Sequence, residues 1–245
     1  MTDLRPFHTP GNPLILFNIW DAGSASAVAK SGAPVIAAGS WAVARSQGFD
    51  DGQVMLFTRF IDTTAQIIDA VSQPVTVDFE GGFADDLSGL KTNIETLLET
   101  GACGLNFEDR VIGGQGLHDT GDQCERIKVL RAASVEMFIN ARCDLLFMGA
   151  KPEEHSDLIA PLIERAKAYA DAGADGLFAP GLTNPVLIER LVKHSPLPVN
   201  IMRTDETQTI ADLADLGVSR ISHGPVPYLK MMSALGTQAK TYYEG

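Results

Sequence analysis

The sequence is poor in basic residues and in cysteine. Nineteen Lys and Arg residues face 31 Asp and Glu residues, which gives a formal net charge of −12. This excess of acid argues against nucleic acid or an anionic membrane surface as a partner. The three cysteines, Cys103, Cys124 and Cys143, lack the spacing of a metal site and leave one thiol over in any pairing. Such cysteine usage fits a reducing cytoplasm.

Long apolar runs and nucleotide-binding glycine motifs are also absent. No run reaches the 18 consecutive apolar residues of a membrane helix, and residues 1–13 lack a basic region followed by an apolar stretch. We therefore expect a soluble cytoplasmic protein without a membrane partner. Neither a GxGxxG motif nor a Walker loop follows the first apolar run, which argues against a doubly wound nucleotide-binding sheet.

Short apolar runs instead alternate with longer amphipathic segments. The interval recurs about eight times in 245 residues without a low-complexity linker. This alternation predicts βα repetition, and the chain length matches a single (β/α)8 TIM barrel domain over residues 1–245. A closed barrel also gathers the polar residues at the predicted strand ends, whereas an open sheet scatters them. The predicted helices cover residues 22–31, 58–72, 87–100, 122–133, 151–173, 185–194, 206–216 and 226–243, and residues 39–53 are predicted to form a loop.

Acidic residues end two neighbouring strands. Alternation along residues 75–80 places Asp78 and Glu80 on one face, Glu108 closes the next strand, and Asp51 lies in the long loop. Carboxylates gathered on one face need donors or a cation, and an all-oxygen set favours Mg²⁺ or Mn²⁺. The alternative is that each acid caps a helix or a turn.

Arg142 ends the predicted fifth strand. Its guanidinium could hold a substrate carboxylate through two hydrogen bonds, or it could form an internal ion pair with Glu108. The sequence leaves both roles open.

Three further groups are candidates for contact with substrate. Gly39, Ser40 and Trp41 follow the second strand, where backbone N–H groups could form an oxyanion hole or a plain turn. Asn200 is a lone amide in the seventh strand and either binds substrate or satisfies the barrel interior. His118 lies in a glycine-rich, lid-like loop, either as a general acid or base or as an exposed residue without a role.

Seven segments together resemble the isocitrate lyase/phosphoenolpyruvate mutase superfamily. They are residues 17–25, 42–52, 77–83, 104–109, 139–142, 170–178 and 217–222. The resemblance implies a (β/α)8 barrel, Mg²⁺, and an α-oxoacid-like substrate whose C–C or P–C bond reacts through an enolate or related intermediate.

The resemblance also implies roles for individual residues. Asp78 matches the direct metal ligand, and Arg142 matches the substrate-binding arginine. Three acids match carboxylates that hold metal-bound water, namely Glu80, Glu108 and Asp51. Gly39, Ser40 and Trp41 fall where members of the superfamily bind the substrate carboxylate and oxyanion.

The chain departs from the superfamily pattern in the loop after Asp109. Isocitrate and methylisocitrate lyases carry a Lys-Lys/Arg-Cys-Gly-His motif there, whereas this chain has Gly-Gly-Gln-Gly at residues 113–116. The mutase-type lysine and asparagine are missing too. In addition, Glu80 stands where many members have Asp.

We therefore expect a Mg²⁺-dependent lyase that cleaves or decarboxylates a small 2-oxo or 2-hydroxy dicarboxylate through a pyruvate-enolate-type intermediate. The alternatives are a phosphonopyruvate hydrolase or phosphonomutase, and a barrel that binds an oxoacid without turning it over. We also expect a homo-oligomer, either a dimer or a tetramer.

Overall fold

The computed structural model describes residues 1–204 and 208–243. Its strands are β1 (Leu14–Leu16), β2 (Ile36–Ala37), β3 (Val75–Asp78), β4 (Gly104–Glu108), β5 (Phe138–Arg142), β6 (Gly176–Phe178), β7 (Val199–Met202) and β8 (Arg220–Ser222). They form one eight-stranded sheet in the spatial order β1-β8-β7-β6-β5-β4-β3-β2. Every strand pairing is parallel, and a bridge between Ile19 and Ala38 brings the two ends of the sheet together. The predicted (β/α)8 barrel is confirmed.

Helices follow the strands along the described chain. They are α1 (Ala22–Lys30), α2 (Ser40–Ser46), α3 (Phe57–Asp69), α4 (Leu87–Glu99), α5 (Thr120–Ala133), α6 (His155–Ala172), α7 (Pro185–His194), α8 (Ile210–Asp215) and α9 (Val226–Tyr243). Short 3₁₀ helices occur at Arg5–Phe7, Asp144–Leu146 and Pro152–Glu154. Within the residues described, no helix combines the length and the apolar character needed to cross a membrane.

Most predicted helices are present, and two predictions need correction. The helices predicted at residues 185–194 and 226–243 have those bounds in the structure. The loop predicted over residues 39–53 is wrong in its first half, because α2 occupies it with Ala42, Val43 and Ala44 buried. The helix predicted over residues 206–216 covers Ile210–Asp215, and Glu206 lies outside the described residues.

The alternation of side chains along β3 explains how the barrel is filled. Val75, Val77 and Phe79 are buried in the large apolar cluster between sheet and helices. Thr76 and Asp78 take the alternate positions and face the barrel interior. Because the apolar face of β3 packs against the helices, its polar face points into the barrel.

A second apolar cluster fills the amino-terminal end of the barrel. It groups Leu14 and Leu16 of β1 with Phe138 of β5 and with Leu4, which precedes the strands. The ring of His8 stacks on Phe138 at a centroid distance of 3.9 Å. With this end packed, the functional cavity lies at the carboxyl ends of the strands, as is usual for the fold.

Candidate active site

Asp78 is the last residue of β3 and is buried at the base of a cavity. Its Oδ2 accepts a hydrogen bond from Ser40 Oγ at 3.0 Å. Its Oδ1 is buried and has no hydrogen-bond partner among the described residues. Burial raises the pKa of Asp78, and nearby Arg142 only partly opposes this shift. One carboxylate oxygen is therefore left to bind something else.

Glu80 follows β3 in a strained turn. Its φ of +49° lies in the left-handed region, which is uncommon for a residue with a side chain. The backbone N–H of Gln53 donates to Glu80 Oε2 at 2.9 Å, and Gln53 Oε1 accepts from the Phe83 N–H at 2.8 Å. Burial, followed by repulsion from Asp78, raises the pKa of Glu80 to about 9. Gln53 thus fixes this turn against the segment that carries Asp51.

Two glycines make room for the same turn. Gly82 has a φ of +80°, and a Cβ there would lie 2.3 Å from Leu90 Cδ1. A Cβ at Gly81 would lie 2.9 Å from Ile112 Cγ1 in the glycine-rich loop. The two glycines let the acidic turn pack between α4 and that loop.

Glu108 and Arg142 end β4 and β5 and are paired in register. Arg142 Nη1 lies 2.8 Å from Glu108 Oε2 and 3.8 Å from Asp78 Oδ2. Burial raises the pKa of Glu108 to about 8, although Arg142 opposes the shift. Burial alone would lower the pKa of Arg142, but the carboxylates of Glu108 and Asp144 outweigh it and raise that pKa. The internal ion pair, one of the two roles left open by the sequence, is present.

Sequence reasoning missed Asp144, which orients Arg142. Asp144 is fully buried and accepts from Arg142 Nε at 2.6 Å and from Nη2 at 2.8 Å. This geometry fixes the plane of the guanidinium. The signal was present as a carboxylate two residues after the arginine at a strand end, but strand alternation alone could not indicate the bend that turns Asp144 back.

The cavity above these residues has a volume of about 220 Å³. Among the predicted site residues, those that line it are Gly39, Ser40, Trp41, Asp51, Asp78 and Arg142. Glu80 and Glu108 lie beside them but are buried, with 7% and 3% of their surfaces exposed. Phe147, Phe178 and Met202 supply apolar walls. The barrel therefore brings together the predicted acids and the predicted arginine.

The predicted oxyanion hole is only partly available. The Gly39 N–H donates to Ile19 O at 3.1 Å, so it is not free for a ligand. Gly39 precedes the first turn of α2, to which Ser40 and Trp41 belong. Ser40 is directed at Asp78 through its hydroxyl.

Two other predicted site residues lie away from the cavity. Asn200 has 1% of its surface exposed, and its Nδ2 donates to Ile201 O, Arg220 O and Ser222 Oγ at 3.0, 3.3 and 3.2 Å. The His118 side chain does not line the cavity. Burial lowers the pKa of His118, and its carbonyl accepts two hydrogen bonds from Arg165 at 3.1 Å.

Among the described residues, the acidic side chains of the rim are not arranged as a coordination shell for a metal ion. In residues 1–204 and 208–243, no group of three or more His, Cys, Asp or Glu side chains is placed to hold a metal ion. The guanidinium of Arg142 lies between Asp78 and Glu108 and takes the position of a counter-ion. The rim therefore gathers the ligand types predicted for Mg²⁺ around an arginine.

The fold and the rim define a class of protein, namely a (β/α)8 enzyme with an acidic site at the carboxyl ends of the strands. The family model for phosphoenolpyruvate phosphomutase matches residues 4–243. The chain therefore belongs to this family, and it is an enzyme of the phosphoenolpyruvate mutase/isocitrate lyase superfamily of lyases and mutases.

Relatives of several kinds cover most of the chain. An uncharacterised protein of Mycobacterium tuberculosis is 32% identical over 97% of this chain and 88% of its own length. A Corynebacterium glutamicum protein assigned as a 2-methylisocitrate lyase is 29% identical, covering 89% and 74%. Oxaloacetate decarboxylase of Pseudomonas aeruginosa is 28% identical, covering 75% and 64%.

Solved structures extend the similarity. A Burkholderia cenocepacia protein assigned as a phosphonomutase has a TM-score of 0.93 and 44% identity, with 97% of each chain covered. A phosphonopyruvate hydrolase in complex with oxalate and Mg²⁺ has a TM-score of 0.84 at 21% identity, covering 99% of this chain and 86% of its own, which supports the fold alone.

Proposed function

We propose that the protein is a Mg²⁺-dependent lyase that decarboxylates, or cleaves a C–C bond of, a small 2-oxo or 2-hydroxy dicarboxylate through a pyruvate-enolate-type intermediate. Oxaloacetate-like decarboxylation is the favoured reaction. The observation that carries the proposal is the cavity itself, in which Arg142 lies beside Asp78 and Asp51 and whose described lining contains no His, Lys or Cys.

The donor set at the rim fits a hard divalent cation. Asp78 Oδ1 is buried without a hydrogen-bond partner in the described part of the chain, and burial raises the pKa of both Glu80 and Glu108, so the charge of these carboxylates is incompletely compensated. Oxygen donors of this kind suit Mg²⁺, with Mn²⁺ as the alternative. Asp78 would hold the ion, and Glu80, Glu108 and Asp51 would surround it. When bound, the ion would supply a Lewis acid that polarises the oxo group of the substrate.

Arg142 and the start of α2 complete the binding of an anion. Arg142 lines the cavity while Asp144 and Glu108 hold its guanidinium in place. A carboxylate or enolate oxygen in the cavity would meet this fixed positive charge and the backbone of Ser40 and Trp41. Preorganised groups of this kind stabilise the charge that develops on the oxo oxygen when the C–C bond breaks.

The chemistry of the lining distinguishes between lyase reactions. Among the described residues that line the cavity, there is no His, Lys or Cys. Cleavage of a 2-hydroxy acid needs a base to take the hydroxyl proton, and the carboxylates at the cavity, Asp51 and Asp78, would be engaged with the metal ion. Decarboxylation needs only an electron sink, because the bond pair moves to the oxo oxygen as CO₂ leaves. The enolate carbon takes its proton from water rather than from His118, because the His118 side chain does not line the cavity.

A substrate panel tests the proposal. Purified protein with Mg²⁺ is incubated with oxaloacetate, 2-hydroxy dicarboxylates and phosphonopyruvate, while pyruvate and phosphate are assayed separately. We expect pyruvate from the dicarboxylate arm without phosphate. Binding of these compounds, detected as thermal stabilisation, with no product over a long incubation would contradict the proposal and support an oxoacid-binding barrel.

A phosphonopyruvate hydrolase or phosphonomutase is the second candidate. The 44% identity with the Burkholderia cenocepacia protein assigned as a phosphonomutase favours it. Equimolar phosphate and pyruvate from phosphonopyruvate in the same panel would establish P–C cleavage and replace the leading proposal.

We also propose a homo-oligomer, either a dimer or a tetramer, located in the cytoplasm. Of the residues of α9, only Pro227 is buried, and Leu229, Met231 and Leu235 are exposed. Ile15 and Phe17, on β1 and just after it, are 41% and 49% exposed. A second copy of the chain would cover these apolar surfaces.

Cys103, Cys124 and Cys143 are all free thiols, which supports a reducing compartment. The acidic net charge argues against nucleic acid as a partner, and we propose a small carboxylate substrate, held by the local positive charge of Arg142, as the small-molecule partner.

A further inference from the structure

Arg220 is a fully buried arginine with no carboxylate within ion-pair distance among the described residues. It belongs to β8, has 2% of its surface exposed, and does not line the cavity. Within residues 1–204 and 208–243, its Nε and Nη1 have no hydrogen-bond partner, and burial lowers its pKa to about 10. Its Nη2 donates to Asn106 Oδ1 at 3.0 Å across the barrel. Since a buried charge without a paired carboxylate is costly, this one contact calls for an explanation.

Three amides lie in a layer just below the cavity: Asn106, Asn140 and Asn200, called here the amide layer. Asn140 Nδ2 donates to Asn106 Oδ1 at 2.9 Å and to Asn200 Oδ1 at 3.1 Å. Gly176 leaves the necessary room, because a Cβ there would lie 2.7 Å from Asn140 Oδ1. The amide layer thus links β4, β5 and β7 inside the barrel.

Groups at the two ends of the amide layer set the direction of every amide. At one end, Asn200 is surrounded by the carbonyls of Ile201 and Arg220, which only accept, so its Nδ2 must point towards them. At the other end, the guanidinium of Arg220 only donates, so Asn106 must present Oδ1 to it. Asn140 joins the two ends. Asn106 Nδ2 must therefore point away from the layer.

Asn106 Nδ2 faces the cavity. Asn106 lines the cavity with 8% of its surface exposed, and none of the described residues accepts a hydrogen bond from its Nδ2. Asn106 is also paired in register with Asp78, so the amide lies beside the acidic rim. A fixed N–H donor that none of the described residues uses is available beside that rim, to water in the cavity and to an acceptor atom of a ligand that displaces the water.

Asn18, just after β1, presents a side-chain N–H donor to the cavity in the same way as Asn106. Its Oδ1 accepts from the backbone N–H groups of His223 and Gly224, each at 2.9 Å. Asn18 lines the cavity, and none of the described residues accepts from its Nδ2. Two amides therefore present donors to the same space, which favours a ligand with several acceptor oxygens over one that carries an amine.

We infer that Asn106 Nδ2 is a substrate-binding donor for an oxygen of the oxoacid, and that Arg220 is a positioning residue that acts through Asn106. This inference rests on the proposed function and deepens it, since it defines the substrate as a group of acceptor oxygens. Arg220 holds the amide in the donating orientation and, by donating to Oδ1, strengthens Nδ2 as a donor.

Oxalate binding in the presence of Mg²⁺, measured by isothermal titration calorimetry, tests the inference. Asn106→Asp keeps an oxygen towards Arg220 and Asn140 but replaces the cavity-facing donor with an acceptor. We expect oxalate affinity to fall roughly tenfold or more, while affinity for Mn²⁺ measured alone does not fall. Thr76→Val, at a buried hydroxyl on the adjacent strand β3, is the matched control and should leave oxalate affinity unchanged.

A double-mutant cycle tests the role of Arg220. Arg220→Met should weaken oxalate binding in the wild-type background and add nothing in an Asn106→Ala background, and Arg220→Lys should restore part of the affinity. Equal losses in both backgrounds would show that Arg220 acts as a distant charge and would overturn its positioning role. Should Arg220→Met not fold, the same comparison is made with Arg220→Lys, for which a smaller loss, again confined to the wild-type background, is expected.

The outcomes separate the two proposals. Wild-type protein that does not bind oxalate with Mg²⁺ would contradict the proposed function and this inference with it. Wild-type binding that Asn106→Asp retains in full would contradict the inference alone.

Discussion

Glu80 shows how one side chain can make the folded protein less stable in order to prepare a site. Its backbone has a positive φ, and burial raises the pKa of its carboxyl group to about 9. Gln53 and the turn around Gly82 hold it there. A strained, desolvated carboxylate of this kind is expected where a protein must bind a cation.

Stability without metal should therefore fall as pH rises. Between the usual pKa of an unfolded Glu, about 4.5, and the folded value of about 9, the folded protein retains a proton that the unfolded chain has released. The free energy of unfolding then decreases with pH, by at most about 1.4 kcal/mol per pH unit for one group. Urea denaturation in EDTA from pH 5.5 to 8.5 measures this slope.

Glu80→Gln removes this titrating group, so it should reduce the slope and raise stability at pH 8, while Glu108, whose pKa burial raises to about 8, keeps part of the slope in place. Glu136→Gln, on the surface, is the control and should leave the slope as it is. A wild-type stability that is level or rises across this range would contradict the assigned burial of the acidic rim.

The sequence predicted the residues of the rim but not their partners. Alternation along residues 75–80 is enough to place Asp78 on the inner face of the barrel. The pairing of Arg142 with Asp144, and the contact of Gln53 with Glu80, depend on chain bends that no local pattern encodes. Asn200 lies outside the cavity because of the depth of β7 in the barrel. That depth depends on the register of β7 with its neighbouring strands, which the sequence does not reveal.

At the scale of elements, the glycine-rich loop after β4 is tied to α6. Arg165 of α6 donates from Nη1 and Nη2 to the His118 carbonyl and from Nη1 to Asp109 Oδ2 at 3.2 Å. Tyr169 donates to the same Asp109 oxygen at 2.7 Å. The base of the loop is thus fixed, while residues 113–116 are exposed.

Arg165→Met should loosen that loop. Two hydrogen bonds to the His118 carbonyl are lost, so amide hydrogen exchange in residues 110–118 should increase several-fold, and exchange in β4 should change little. Tyr169→Phe is the matched control, because it removes a bond to Asp109 but none to the loop carbonyl. Equal exchange in wild type and Arg165→Met would show that Arg165 does not anchor the loop.

Helix α2 shows why the sequence pattern did not predict every helix. Its seven residues lie between Gly39 and Gly48, and this glycine spacing is typical of a loop. The helix exists because Ala42, Val43 and Ala44 are buried against the barrel, which is a tertiary effect. Helices with a full apolar face, such as α7, were predicted with their bounds.

At the scale of the whole molecule, strand count and closure followed from the sequence, but the position of α9 did not. A helix after β8 would cover β1 in a self-contained barrel. Here α9 exposes most of its length, and Ile15 remains 41% exposed. Periodicity predicts a helix and its bounds but not which surface it covers.

Charge on α9 should therefore break the oligomer. The full chain is expected to sediment as a dimer or tetramer, and Met231→Glu combined with Leu235→Glu should give a monomer by sedimentation velocity. Val135→Glu changes an even more exposed apolar residue, between α5 and β5, and should leave the assembly intact. A monomeric wild-type chain at about 50 µM, well within the range of weak specific association, would rule out the proposed assembly.

The most direct test of the whole account is the metal dependence of pyruvate formation from oxaloacetate by wild-type protein and Asp78→Ala. The account predicts turnover with Mg²⁺ that EDTA abolishes, and no turnover by Asp78→Ala above the rate of the same Mg²⁺ solution without protein. Turnover by Asp78→Ala at the wild-type rate, or turnover that EDTA leaves unchanged, would contradict it.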